Sequence, residues 1–271
     1  MSTALEQAPP GVRRPSGLAY VVIIALVLTV VMSIWSLVVR FDRASYVSGL
    51  LDRTITFSRE AAEHQDNRVH SAVIATLLTE LVTAGVFIGW FATLVRRLHA
   101  LRPGEFRHRA GWAIGAWFVP ILNLIRPKQI ADDAWHAAAG RAVRVPGAFH
   151  LWWALYLIGN ATTYIGSRLT DSDDPDMLMT GDRLAGAGHG ISALAAILAI
   201  VVVVRLDAAA RNAPALAAQP AQVAPPGLAF NPPPGWPVPP AGWGPPPGWQ
   251  PDPAWPPAPP GWQFWVPVAP D

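Results

Sequence analysis

The chain contains no cysteine. Disulfides, thiolate metal sites and cysteine nucleophiles are thereby excluded. Charge is scarce as well: 14% of the 271 residues are Asp, Glu, Lys or Arg, against about 25% in an ordinary globular domain. No basic patch interleaved with aromatics stands outside the apolar blocks' flanks, which argues against nucleic-acid binding. There is no G-x-S-x-G, no H-E-x-x-H and no phosphate-binding Gly-Lys-Ser/Thr pattern. The expectation is therefore a protein that is no enzyme and has no cofactor and no metal site.

What is present is apolar. Hydrophobic residues make up 52% of the chain, and mean hydropathy is +0.28. Long uncharged blocks carry that excess, and together they predict a multi-pass membrane protein. Gly17–Val39 follows Arg13 and Arg14 and reaches about 34 Å as a helix, enough for a ~30 Å hydrocarbon core. It is longer than a signal-peptide core and no small-residue cleavage site follows, so it is read as an uncleaved span. Ser71–Val95 is the second expected span, closed by Arg96 and Arg97. Phe149–Ile165 is the third, with Trp152 and Trp153 near one end and Tyr164 near the other, as in aromatic belts. Leu184–Val204 is the fourth, stopped by Arg205. The segment 40–70 is expected outside, with Val47, Leu50, Leu51 and Ile55 at near-helical spacing for a helix lying on the membrane.

The stretch Gly111–Ile125 is apolar but short for a span. If it does not cross, thirteen Lys and Arg residues share the side of both termini and seven lie opposite. The positive-inside rule then makes the first side cytoplasmic. If it crosses, the bias vanishes. Gly111–Ile125 is accordingly read as re-entrant or interfacial. Pro120 breaks a helix, Asn123 can satisfy the freed backbone groups, Arg126 can snorkel to phosphates, and Pro127 biases the chain to turn at Arg126. Gln129–Ala139 reads either as a headgroup helix anchored by Trp135 or as an ordinary loop helix.

Within this stretch, Trp117, Phe118, Pro120, Asn123, Arg126, Pro127 and Gln129 form WFVPILNLIRPKQ. This run resembles the core of an uncharacterised actinobacterial membrane family, catalogued as domain of unknown function 4328. Leu151-Trp152-Trp153 fits the tryptophan-rich span that often follows it in that family. The resemblance covers roughly residues 17–207 and implies a multi-span membrane domain. It implies no activity, substrate or catalytic residue.

Polar residues inside the expected spans are the site candidates. Glu80 is costly at that depth and is a functional candidate by default, as a proton carrier or a counter-charge; a protonated or hydrogen-bonded packing role is the alternative. Asn160, with Thr162 and Thr163, suits interhelical hydrogen bonds. His189 reads as packed, with no second ligand at metal spacing. Gly85-x-x-x-Gly89 and Gly186-x-x-x-Gly190 suit internal helix packing, with a homo-oligomer also open. The acidic loop Asp171–Asp176 reads as a solvated outer loop.

The tail is a separate composition. Twenty of the 29 prolines lie from Pro220 onward. Trp236, Trp243, Trp249, Trp255 and Trp262 recur every six or seven residues, and Trp265 follows. Polyproline II has three residues per turn, so this spacing predicts a partial tryptophan stripe on a disordered tail. Its PPGW units suit docking to a proline-recognition partner.

The expectation is thus an all-α integral membrane bundle of about four spans with a short re-entrant or interfacial segment. The divisions are an N-terminal cytoplasmic segment at 1–16, a membrane domain at 17–206 and a disordered cytoplasmic tail at 207–271. The leading function is a scaffold in the cell membrane that recruits a cytoplasmic partner through the tail. The alternative is a small transporter or channel subunit using Glu80.

Overall fold

The structure is a computed structural model and describes residues 15–217, 228–239, 244–245, 251–252 and 255–267. It divides into two compact units, 1–212 and 213–271.

The first unit is all helix. Ser16 caps α1 (Gly17–Leu51), its hydroxyl accepting from the Ala19 N–H. Ser58 does the same for α2 (Arg59–Leu101) through Ala61. Both helices outrun a hydrocarbon core, since 35 and 43 residues reach about 52 and about 64 Å. The expected surface helix at 40–70 is absent. Val47, Leu50 and Leu51 prolong α1 instead, and Ile55 folds back so that its N–H donates to the Gly49 carbonyl. The hairpin is antiparallel, as the pairs Thr29–Thr83 at 2.9 Å, Ser36–Thr76 at 2.7 Å and Arg68–Asp42 at 2.9 Å show. Neutral hydroxyl pairs join the apolar stretch and ion pairs join only its end, as a bilayer requires.

α6 (Gly147–Leu169) and α7 (Pro175–Ala217) form the second antiparallel pair. Asp174 turns the chain into α7 by accepting from the Asp176 N–H. Glycines set the spacing. A Cβ on Gly166 would strike the backbone of Ala185 and Gly181, and one on Gly159 would sit 2.6 Å from Ser192 Oγ. Gly186 and Gly190 admit Phe41 and Leu37 of α1, so that motif packs internally as expected. Gly85 and Gly89 do not: nothing lies within 4 Å of a Cβ at either position.

Two expectations about the spans are corrected. Among the described residues three helices, α1, α2 and α7, are long and apolar enough to cross a membrane, not four. α6 has the length, about 34 Å for 23 residues. Its Trp, Tyr, Asn, Thr and Arg residues deny it the apolarity. The aromatic belt also fails. Trp152 and Trp153 are buried, and only Tyr164 is exposed, because the indoles face the bundle interior.

The ends of the bundle are tied. At one end the Ser16 hydroxyl and N–H both donate to Asp207, at 2.6 and 2.9 Å, so the start of α1 meets the last turns of α7. At the other, buried Asp182 accepts from Arg40 at 3.0 Å and from Arg43 at 2.6 and 2.9 Å. Arg43 also reaches Asp66 of α2.

The second unit contains β1 (Leu228–Phe230) paired antiparallel with β2 (Trp265–Pro267). Among the described residues, short strands and turns thus stand where a partial tryptophan stripe was expected. Pro233–Trp236 and Pro259–Trp262 are tight turns, each closed by the Trp N–H donating to the first Pro carbonyl at 3.1 Å. Gly235 and Gly261 hold φ of 87° and 79°. Proline second and a left-handed glycine third is type II turn chemistry. Each turn aims its indole inward. Trp236 Nε1 donates to the Pro256 carbonyl at 2.7 Å, and Trp262 Nε1 to Asn231 at 3.0 Å. Trp236 is buried and packs on Trp255 and Phe264, while Trp265 packs on Phe230. Trp243 and Trp249 lie outside the described residues.

Candidate intramembrane binding site

The short apolar segment is a hairpin. It comprises α3 (Trp112–Gly115) and α4 (Pro120–Asn123) and leads into α5 (Arg126–Ala139). The Arg126 guanidinium lies 4.3 Å from the centre of the Trp112 ring, so the segment leaves at the level where it entered. It does not cross. Its apex holds Trp117, whose ring is 5.7 Å from Phe87 and 6.1 Å from Trp153. Phe87 is nine residues from Arg96 along α2, about 14 Å into the bundle. The segment therefore dips into the bundle and turns back. Phe118 and Ile121, 72% and 76% exposed, point outward from the apex.

The motif residues act differently from expectation. Pro120 starts α4 rather than kinking a helix, and its extended neighbour Val119 makes the break. Arg126 stacks on Trp112 rather than reaching outward. Arg126 and Pro127 are already helical, so the turn falls one residue earlier, at Ile125. The Leu124 carbonyl at that break accepts from Trp153 Nε1 at 3.0 Å, the role expected of Asn123. Asn123 instead sits beside Tyr156, with its Oδ1 buried and without a hydrogen-bond partner among the described residues. Gln129 anchors the approach to the hairpin. Its side chain meets His108 at 3.3 Å, and its carbonyl accepts from Arg107. Arg107 also binds Asp133, which raises its pKa further. α5 packs one face inward, and Trp135 lies against Phe149 while donating to the Arg144 carbonyl. That makes α5 a docked helix rather than a headgroup anchor.

Trp117 and Tyr156 bring the motif to a cavity of about 220 Å³. Its walls come from Leu26 and Thr29 of α1, Glu80 to Ile88 of α2, Trp152, Tyr156 and Asn160 of α6, and Ser192 to Ala199 of α7. Two of the three intramembrane polar candidates, Glu80 and Asn160, meet here. The third, His189, does not; it is buried near Arg40. Asn160 Nδ2 donates to the Tyr156 carbonyl of its own helix at 2.7 Å, so it makes no bond between helices. Among the described residues Glu80 has neither an ion pair nor a hydrogen bond, and Tyr156 is its electrostatic neighbour. Apolar walls with a few convergent polar groups are the composition of a small-molecule site.

Tyr156, Thr83 and Ser192 were not singled out from sequence. Tyr156 stands four residues before Asn160 and Thr83 three after Glu80, so helical spacing alone puts them on the candidates' faces. The Arg40–Arg43–Asp182 cluster had no such signal, since Asp182 is 142 and 139 residues from its two arginines.

A family model described as Domain of unknown function (DUF4328) matches residues 53–208. The match takes in Glu80, the hairpin, Tyr156 and Asn160, and begins after α1, which the resemblance had been expected to include. No curated protein matches the chain. No solved structure matches it.

Proposed function

The chain belongs to the family of Domain of unknown function (DUF4328), and from that premise we propose that its membrane domain binds a small molecule in the cavity at Glu80, the binding step of a transporter-type function. The reading is one of binding, not catalysis. One observation carries it: α1, α2, α6, α7 and the re-entrant hairpin all converge on a single cavity lined by an unpaired carboxylate. A packing role for Glu80 would call for a partner, and a carboxylate without one is costly at membrane depth.

In this reading the end marked by Ser16 and Asp207 faces the cytoplasm. The thirteen-to-seven distribution of basic residues supports that orientation, and so does the return of the hairpin to its own level.

Brominated octane quenching of tryptophan emission in lipid nanodiscs tests the binding. Trp117 and Trp152 line the cavity, so quenching should contain a saturable component that Ala195→Phe removes. Quenching that rises linearly and equally in both proteins would sink the reading.

Recruitment of a cytoplasmic partner by the tail is a second reading. Pro256 and Pro257, before the Pro259–Trp262 turn, and Pro259 and Pro260 within it are exposed, so prolines rather than indoles would form the contact. Fixed prolines lower the ordering cost of docking. In-cell crosslinking of the full chain against one ending at residue 217 tests it. Identical crosslinked sets would remove the tail from the function.

A further inference from the structure

We infer that the cavity is entered sideways from the bilayer, between α2 and α6, and that its ligand is a lipid-soluble amine whose ammonium pairs with Glu80. This rests on the binding reading above and names its ligand class and route.

The route follows from which walls are open. Lining residues of α1 and α7 are buried or half-buried, Leu26, Ala195, Ala196 and Ala199 among the buried ones. The exposed lining residues are Glu80 and Ala84 on α2 and Asn160 on α6. The mouth therefore lies between those two helices. Glu80 is ten residues from His70 and sixteen from Arg96, about 15 and about 24 Å along α2. That places the mouth at hydrocarbon depth, where a ligand arrives from lipid rather than from water.

The ligand class follows from the complement of the lining. Among the described residues no Lys, Arg or His lines the cavity, so no cationic side chain there would pair with an anion. The polar groups at the mouth favour a donor. Glu80 is an unpaired carboxylate. Asn160 gives one Nδ2 hydrogen to its own helix and keeps its Oδ1 to accept. Trp117 and Tyr156 line the same cavity, and aromatic rings attract ammonium groups. A hard metal ion is a poor fit, since it demands six or more oxygens. Behind the mouth the alanines of α7 give a smooth apolar floor for an alkyl or ring portion. An amphiphile with a cationic head answers all of these features together.

The test uses the full chain in neutral phosphatidylcholine nanodiscs and two probes, 8-bromooctylamine and its neutral counterpart 8-bromooctanol. Saturable tryptophan quenching reports occupancy. The expected result is binding of the amine about tenfold or more tighter than the alcohol, a preference that Glu80→Gln abolishes while alcohol binding remains. Ala84→Phe, at the rim, should weaken both probes. Equal binding of both probes, unchanged in Glu80→Gln, overturns the amine assignment and leaves the cavity reading standing. No saturable quenching by either probe overturns the cavity reading itself. A second copy of the chain covering Glu80 would appear as a disulfide-linked dimer of Glu80→Cys, the sole cysteine in that variant, and would likewise overturn the inference.

Discussion

Replacing Asp182 with Asn should destabilise the membrane domain more than any other single polar change in it. Asp182 is 0% exposed and accepts from two arginines of α1. Their side chains are only 6% and 13% exposed. Asn keeps the shape but removes the charge, leaving buried Arg40 without its counter-ion and Arg43 without its buried one. Breaking a buried pair in this way costs about 3–5 kcal/mol, most of it the penalty of the uncompensated charge. Arg43 retains Asp66 at 3.0 Å, which is 67% exposed and offsets little. The folding equilibrium should therefore fall by between about 10² and about 5 × 10³. Reversible unfolding in mixed micelles, followed by circular dichroism against denaturing detergent, measures it. The triple variant Arg40→Met, Arg43→Met, Asp182→Leu should recover at least half of the loss, because apolar groups of similar volume can replace a buried ion cluster. An Asp182→Asn protein within about 0.5 kcal/mol of the parent, the range of inconsequential surface changes, would refute the reasoning. So would a triple variant no better than Asp182→Asn.

The same unfolding assay checks two further predictions, and hydrogen exchange checks a third. Trp153→Phe keeps the ring but strands the Leu124 carbonyl that its indole serves at 3.0 Å, a loss of about 1–3 kcal/mol; no change would mean that the hairpin break is satisfied otherwise. Gly166→Ala should disrupt the bundle because its Cβ meets the α7 backbone, whereas Gly85→Ala, with nothing within 4 Å, should be tolerated; equal effects would contradict the helix spacing. Gly235→Ala combines a φ of +87° with a Cβ 2.9 Å from Pro256, and a left-handed non-glycine residue costs about 1–2 kcal/mol. In the full chain it should speed exchange of the Trp236 indole N–H, and unchanged exchange would contradict the turn.

Residue spacing and charge made the long helices legible, because α1, α2 and α7 carry long apolar runs with arginines near or beyond their ends. They also made the hairpin legible, since Pro120 and the arginine distribution left Gly111–Ile125 no convincing way across. α6 was misread because an aromatic pair near a helix end looks the same whether it faces lipid headgroups or a bundle interior. The inward face became visible only with Phe87 and Trp117 beside Trp152 and Trp153. The turns of the tail were hidden in a similar way. Its tryptophan spacing fits a polyproline stripe, yet Gly235 and Gly261 fold two of the PPGW units into turns that bury indoles. Glu80 and Asn160 stood out one by one as polar residues in apolar helices. Their meeting in one cavity depends on how α2 packs near α6, which no local pattern encodes. The pairing of Asp182 with α1 is hidden for the same reason.

The claim that an unpaired, lipid-accessible Glu80 guards the cavity is most directly tested with dicyclohexylcarbodiimide, an apolar reagent that modifies carboxyl groups from within the bilayer. Mass spectrometry of the protein treated in phosphatidylcholine membranes should find Glu80 modified, and octylamine, but not octanol, should protect it. A Glu80 that stays unmodified, or that is modified equally with both, would contradict the account.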